Sequence, residues 1–253
     1  MVRVIVFNLM LAVPVIAQTC AVIQVDGTDG AIAAPINHEV LYETADVRVI
    51  DVNNAPHTVE NMHTHARPSL FYIDRMATIS VMTPQDLHPQ PIAASPDFKP
   101  TLIHYGPQGM HAVEDLGDTP FHALRVELKH PGCSLSNVHP AIQSGAATDD
   151  LKAAPKFYTL LYEDDDVRVL DVHIPPHTGQ AMHTHAYPVF LYLTQPPPVR
   201  YSTQANPVVR KLPPEMKILP LAPEGVNTLE NTGDTELHAL RFELKHGSLE
   251  PTP

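Results

Sequence analysis

Two histidine pairs, His63 with His65 and His183 with His185, sit in the same tetrapeptide, Met-His-Thr-His. On an extended strand residues i and i+2 point to one face, so each pair offers two imidazoles on the same side. Two such rings hold a metal ion when a third ligand comes from a neighbouring strand. A solvent-exposed pair with no metal is the other reading of the same spacing. The two cysteines, Cys20 and Cys133, stand away from every histidine pair, so a catalytic thiol is not expected.

The elements that must carry these pairs are written twice. Residues 33–72 return as 153–192, and 106–130 return as 222–246. A repeat of this length means two copies of one domain. The expected domains are 33–130 and 153–246, joined by a linker over 131–152. Apolar residues alternate over short stretches such as Val47–Val52 and the block from Val167, which is strand behaviour. Proline breaks at Pro56 and at Pro175-Pro176 end one strand before the histidine-bearing strand begins. Short strands between Pro and Gly turns imply an all-β chain of sandwiches or barrels. In the closing strand Leu124, Val126 and Leu128 face one side, and Arg125, Glu127 and Lys129 the other. His122, and His238 in the second copy, fall in step with the leucines. They are expected to pack or hydrogen-bond inside the barrel, with orientation of a ligand imidazole as the alternative. Arg67, beside the first pair, is Tyr187 in the second copy; it either meets a carboxylate substrate or is solvated. His130 and His246 end their strands and are expected in solvent.

The chain has 253 residues, 43% of them hydrophobic and 17% charged, with 27 prolines. A net charge of -12 on only 16 Lys and Arg argues against nucleic acid or an anionic membrane surface as partner. Residues 1–17 read as an export signal: Arg3, a short apolar run from Val4 to Val15, and a small-residue end at Ala17. That implies an exported protein, periplasmic or secreted. The run is too short to span a bilayer; an apolar first strand is the alternative. In an exported chain Cys20 and Cys133 either form one disulfide or stay as free thiols.

Each copy resembles a cupin domain, and the whole chain a bicupin of duplicated bacterial small cupins. The resemblance rests on the His-x-His of the first motif and on Pro107, Gly109 and His111 of the second, with Asp115 near that motif's asparagine. It implies two tandem cupin-type β-barrels (the double-stranded β-helix or jelly roll). It also implies a mononuclear divalent transition metal (Fe, Zn, Cu, Ni or Mn) held by His63, His65 and His111, acting on a small polar molecule by oxygenase or isomerase chemistry. A homo-oligomer is possible on this reading. Two departures matter. The family's usual glutamate is missing after His65 and after His185. In the second copy Asn227 stands where the first has His111, and Asn is a poor ligand for first-row metals. His183, His185 and Asn227 therefore form a degenerate site. His57 and His177 take the family's turn-glycine position, as rim residues or as extra ligands. A non-catalytic ligand-binding or structural cupin is the competing expectation.

Overall fold

The computed structural model describes residues 21–132, 149–195, 198–203, 207–210, 215–221 and 224–246. The expected export segment 1–17, Cys20, Cys133 and most of the 131–152 linker lie outside the described residues. Among the described residues no helix is long and apolar enough to cross a membrane.

The chain is nearly all β. The first copy runs α1 (Gly30–Ala33), β1 (His38–Glu43), β2 (Val47–Asn54), β3 (His63–His65), β4 (Ser69–Arg75), β5 (Ile79–Met82), β6 (Thr101–Tyr105), β7 (Gln108–Asp115) and β8 (Phe121–Leu128). The second repeats it as α2 (Asp150–Ala153), β9 (Tyr158–Glu163), β10 (Val167–Ile174), β11 (Thr178–Gly179), β12 (His183–His185), β13 (Val189–Gln195), β14 (Val199–Thr203), β15 (Pro207–Arg210), β16 (Ile218–Leu221), β17 (Glu224–Asn231) and β18 (Leu237–Leu244). In each copy a five-stranded sheet, β1-β2-β8-β4-β6 or β16-β13-β18-β10-β9, faces a smaller sheet holding the histidine strand. Asp29 caps α1 and binds Arg48 of β2 at 2.7 Å.

Strand alternation then divides the side chains between two cores. Ile50, Val52, Phe71, Ile73, Ile79, Phe121 and Ala123 fill the first barrel. The opposite faces of the same strands build a core shared by both copies. Val47, Val49, Leu70, Tyr72, Leu124, Val126 and Leu128 meet Val167, Val169, Phe190, Tyr192, Leu240, Phe242 and Leu244. Phe190 and Phe242 stack at its centre with centroids 4.7 Å apart. A sheet that buries both faces lets polar residues point inward only where they pair with one another. The apolar face of β8 therefore lies between the barrels, and Arg125 and Glu127 point into the first barrel.

This corrects the expectation for His122 and His238, which follow Leu124 and Leu240 out of the barrel. His122 bridges Asp51 and Asp74, and His238 bonds Asp171 and Thr194; neither can orient a ligand imidazole. His130 is also not in solvent: its side chain is 14% exposed and lies 3.8 Å from Asp46. Tyr72 and Tyr192 belong to the shared core.

Candidate metal centre

The pairing of β3 with β7 sets the site. His63 stands directly opposite His111, and a bulge then shifts the register so that His65 faces Gln108. The His63 and His65 rings lie 5.0 Å apart, and those of His63 and His111 4.4 Å apart. A further ring that the sequence reading missed completes the group: His38, first residue of β1, lies 4.5 Å from His63 and 5.3 Å from His65. Ligand atoms of His38, His63 and His65 fall within 4.8 Å of one another.

Each ring is held by its Nδ1. His38 Nδ1 donates to the Ala34 carbonyl at 3.2 Å, His63 to Asn61 at 2.8 Å and His111 to Gly109 at 2.7 Å. His65 Nδ1 donates to the Glu127 carboxylate at 3.2 Å. Occupied Nδ1 atoms fix the tautomer and leave every Nε2 with a lone pair, the arrangement that supports metal-ligating histidines. His63 Nε2 is buried and has no hydrogen-bond partner, although burying such an atom unpaired is costly. Burial holds the rings neutral, as ligands must be. It lowers His63 to about 4 and His38 to about 2, and it also lowers His65 and His111. The residues thus fit a divalent transition ion.

Behind the rings, Arg48 binds Glu127 at 2.6 Å and Asp29 at 2.7 Å, so Glu127 holds His65 from a fixed position. Arg67 is neither solvated nor free for a substrate. It is buried, donates to the Ile23 carbonyl at 3.0 Å and lies 3.4 Å from Glu127. In α1, Gly30 passes so close that a Cβ there would meet His65 Cε1 at 2.8 Å and His63 Cδ2 at 3.0 Å.

A cavity of about 300 Å³ opens on this group. Its wall carries His38, His63, His65 and His111, the apolar Phe71, Ile79 and Ile103, and the ionisable Glu60, Tyr105 and Arg125. Glu60 is a carboxyl near the motifs that the sequence reading did not find. Burial pushes it up to about 7, its Oε1 accepts from Val113 N at 2.8 Å, and its Oε2 has no hydrogen-bond partner.

The second barrel keeps the frame and fills the site. His183 faces Asn227 in the same register. Tyr158 stands where the first copy has His38, and its hydroxyl lies 3.3 Å from His183 Nε2, covering the lone pair. Gln180 replaces Glu60 and bonds the same hydroxyl at 3.0 Å. Asp150 replaces Gly30 and lies 3.6 Å from His185 Nδ1, which has no hydrogen bond. The cavity shrinks to about 50 Å³. Aligned copy against copy, these four differences (Gly30, His38, Glu60 and His111 against Asp150, Tyr158, Gln180 and Asn227) were readable in the sequence; only the last was used. His57 and His177 line neither cavity. Both have positive φ, 57° and 53°, in exposed turns, where their Nε2 atoms lie 3.0 Å from Asp118 and Asp234.

No family model and no curated protein matches the chain. Solved structures with similar folds include a cupin domain from Bordetella pertussis at 19% identity and TM-score 0.33, covering 35% of this chain and 91% of that one. A salicylate 1,2-dioxygenase from Pseudaminobacter salicylatoxidans aligns at 10% identity and TM-score 0.45, over 80% of this chain and 72% of that one. A cupin 2 conserved barrel domain protein from Leptotrichia buccalis aligns at 8% identity and TM-score 0.45, covering 82% and 88%. With its twice-built sheet framework and a His-x-His strand opened by a bulge in each copy, the chain is an all-β protein of two repeated barrels.

Proposed function

We propose that the protein is a metal-dependent enzyme with one working centre, in the first barrel, acting on a small molecule held in the adjoining cavity. The observation that carries this reading is the convergence of His38, His63 and His65, whose ligand atoms lie within 4.8 Å of one another beside His111, with His63 Nε2 buried and unpartnered. His38, His63, His65 and His111 would hold the ion. An all-nitrogen set favours Fe, Zn, Cu or Ni over Mn, which prefers oxygen ligands. When bound, a divalent ion supplies Lewis acidity, or an oxygen-binding centre if it is redox-active. Glu60, with its pKa near 7 and a free Oε2, is suited to hold or release a proton beside the substrate. The apolar wall excludes water. Oxygenase and isomerase chemistry both use such a centre. Export through residues 1–17 and assembly into a homo-oligomer belong to the same proposal.

A non-catalytic, ligand-holding or structural cupin is the second reading, favoured by the second barrel, which keeps the shell with its site filled. Metal analysis of the purified protein separates the two. About one transition ion per chain is expected; it should disappear in the His63→Ala, His111→Ala double variant and persist in His183→Ala, His185→Ala. A wild-type chain without stoichiometric metal, or metal lost with the second-barrel pair, overturns the enzyme reading.

A further inference from the structure

The two barrels carry the same inward arginine on the last strand, and among the described residues only the second barrel's is in ion-pair contact with a carboxylate. Arg241 has its Nε 2.7 Å from Glu243 and 3.5 Å from Asp150. Arg125 is equally deep, 3% exposed, and among the described residues forms no ion pair with a carboxylate. Its Nη1 donates to the Ser69 hydroxyl at 2.7 Å and its Nη2 to the Gln108 side-chain oxygen at 2.7 Å. Its guanidinium lies over the Phe71 ring at 4.7 Å, and its Nε is buried with no acceptor. Glu127, two residues on, is already engaged by Arg48, Arg67 and His65.

A buried guanidinium without a counter-ion is costly. Burial lowers Arg125 to about 10 against the weaker pull of Glu127 and Glu60, whereas Arg241 is raised by Glu243 and Asp150 in spite of equal burial. The second barrel shows what relieves the charge. Asp150, at the position of Gly30, brings a carboxylate into the space beside the histidines and within reach of Arg241. In the first barrel Gly30 supplies no carboxylate and the His63 and His65 rings close against it, while Arg125 lines the neighbouring cavity together with apolar Phe71, Ile73, Ile103 and Phe121.

We propose that the cavity of the first barrel takes a small organic acid as its anion, the carboxylate pairing with Arg125 and the apolar body lying against the Phe71 and Ile103 wall. This rests on the reading of the first barrel as the working site and names its substrate class. The Asp150 carboxylate is the built-in counterpart of that ligand in the second barrel. A divalent ion on four neutral imidazoles adds further positive charge beside Arg125, which an anionic ligand also offsets.

Calorimetric titration of metal-loaded protein with formate, acetate and benzoate, each against its amide, tests the pairing. At least one anion should bind tenfold or more tighter than its amide. Arg125→Met should remove that preference while metal content stays unchanged, and Arg241→Met should leave it intact. Arg125→Lys is the second variant, in case Arg125→Met fails to fold; it keeps the charge and should retain part of the preference. No preference for any of the three anions in wild type, or a preference unchanged in a folded Arg125→Met that retains its metal, overturns the proposal. The two readings fail separately. A protein that holds metal but binds acids and amides alike keeps the metal centre and loses the anion pairing. A protein without metal that still prefers the acid loses the metal centre only.

Discussion

At the residue scale the site is a set of imidazoles whose Nδ1 atoms are spoken for. Asn61, Gly109 and Ala34 carbonyls and the Glu127 carboxylate each accept one hydrogen bond, and ligand atoms of His38, His63 and His65 lie within 4.8 Å of one another. Burial makes this costly in acid, because the folded state must keep the rings neutral where an unfolded chain protonates them. His63 is lowered to about 4 and His38 to about 2 from an ordinary 6.5. The depressed values mean that the unfolded chain binds more protons below pH 6.5, so stability falls as pH drops from 6.5 toward those values. The metal-free protein should therefore lose thermal stability between pH 6.5 and pH 4. His63→Gln, which cannot take up that proton, should flatten the slope. A wild-type melting temperature that does not change over this range would contradict the burial of neutral rings.

At the element scale the centre depends on one helical turn lying flat against one short strand. Asp29 caps α1 and ties it to Arg48 of β2, while Gly30 brings the backbone against His63 and His65. Contacts of 2.8–3.0 Å for an added Cβ are tighter than real neighbours tolerate, so something must shift. Gly30→Ala should keep the fold, since α1 is helical and accepts alanine. It should displace the rings and lower metal affinity about 10–100-fold, the range seen when groups around metal ligands are disturbed. Competitive chelator titration reads this directly; unchanged affinity would mean that the rings have more room than the backbone suggests. In the second copy Asp150 takes the place of Gly30 and lies 3.6 Å from His185 Nδ1.

At the scale of the whole molecule the two copies are one folding problem. Their large sheets share a core in which Phe190 and Phe242 are fully buried, and Lys217 of the second copy reaches Asp51 of the first at 3.3 Å. His122 stiffens the same seam. Burial opposes its charge, but hydrogen bonds and charge from Asp51 and Asp74 outweigh that and push it up to about 9. Phe190→Ala should cost about 3–5 kcal/mol and should lower the unfolding temperature of both copies together. Two separate transitions with only the second shifted would show that the shared core does not couple them. The second barrel also covers the apolar face of the first.

Much of this was legible in the chain. The repeat fixes two barrels because alternating apolar residues and proline breaks leave few other ways to bury these strands. The i, i+2 spacing fixes that His63 and His65 share a face, since strand geometry alone decides it. Neither face of β8 could be assigned from alternation, because the pattern is the same whether leucines point into a barrel or toward a second one. His122 was misplaced for that reason. His38, Glu60 and Gly30 lie 25, 3 and 33 residues before His63, in segments with no motif of their own. Only the packing of α1, β1 and the loop before β3 brings them to the rings. Sequence determined which strands exist and which copy retains its histidines; the tertiary structure decided which side chains meet, because long-range sheet pairing, and not local spacing, sets the distances between them.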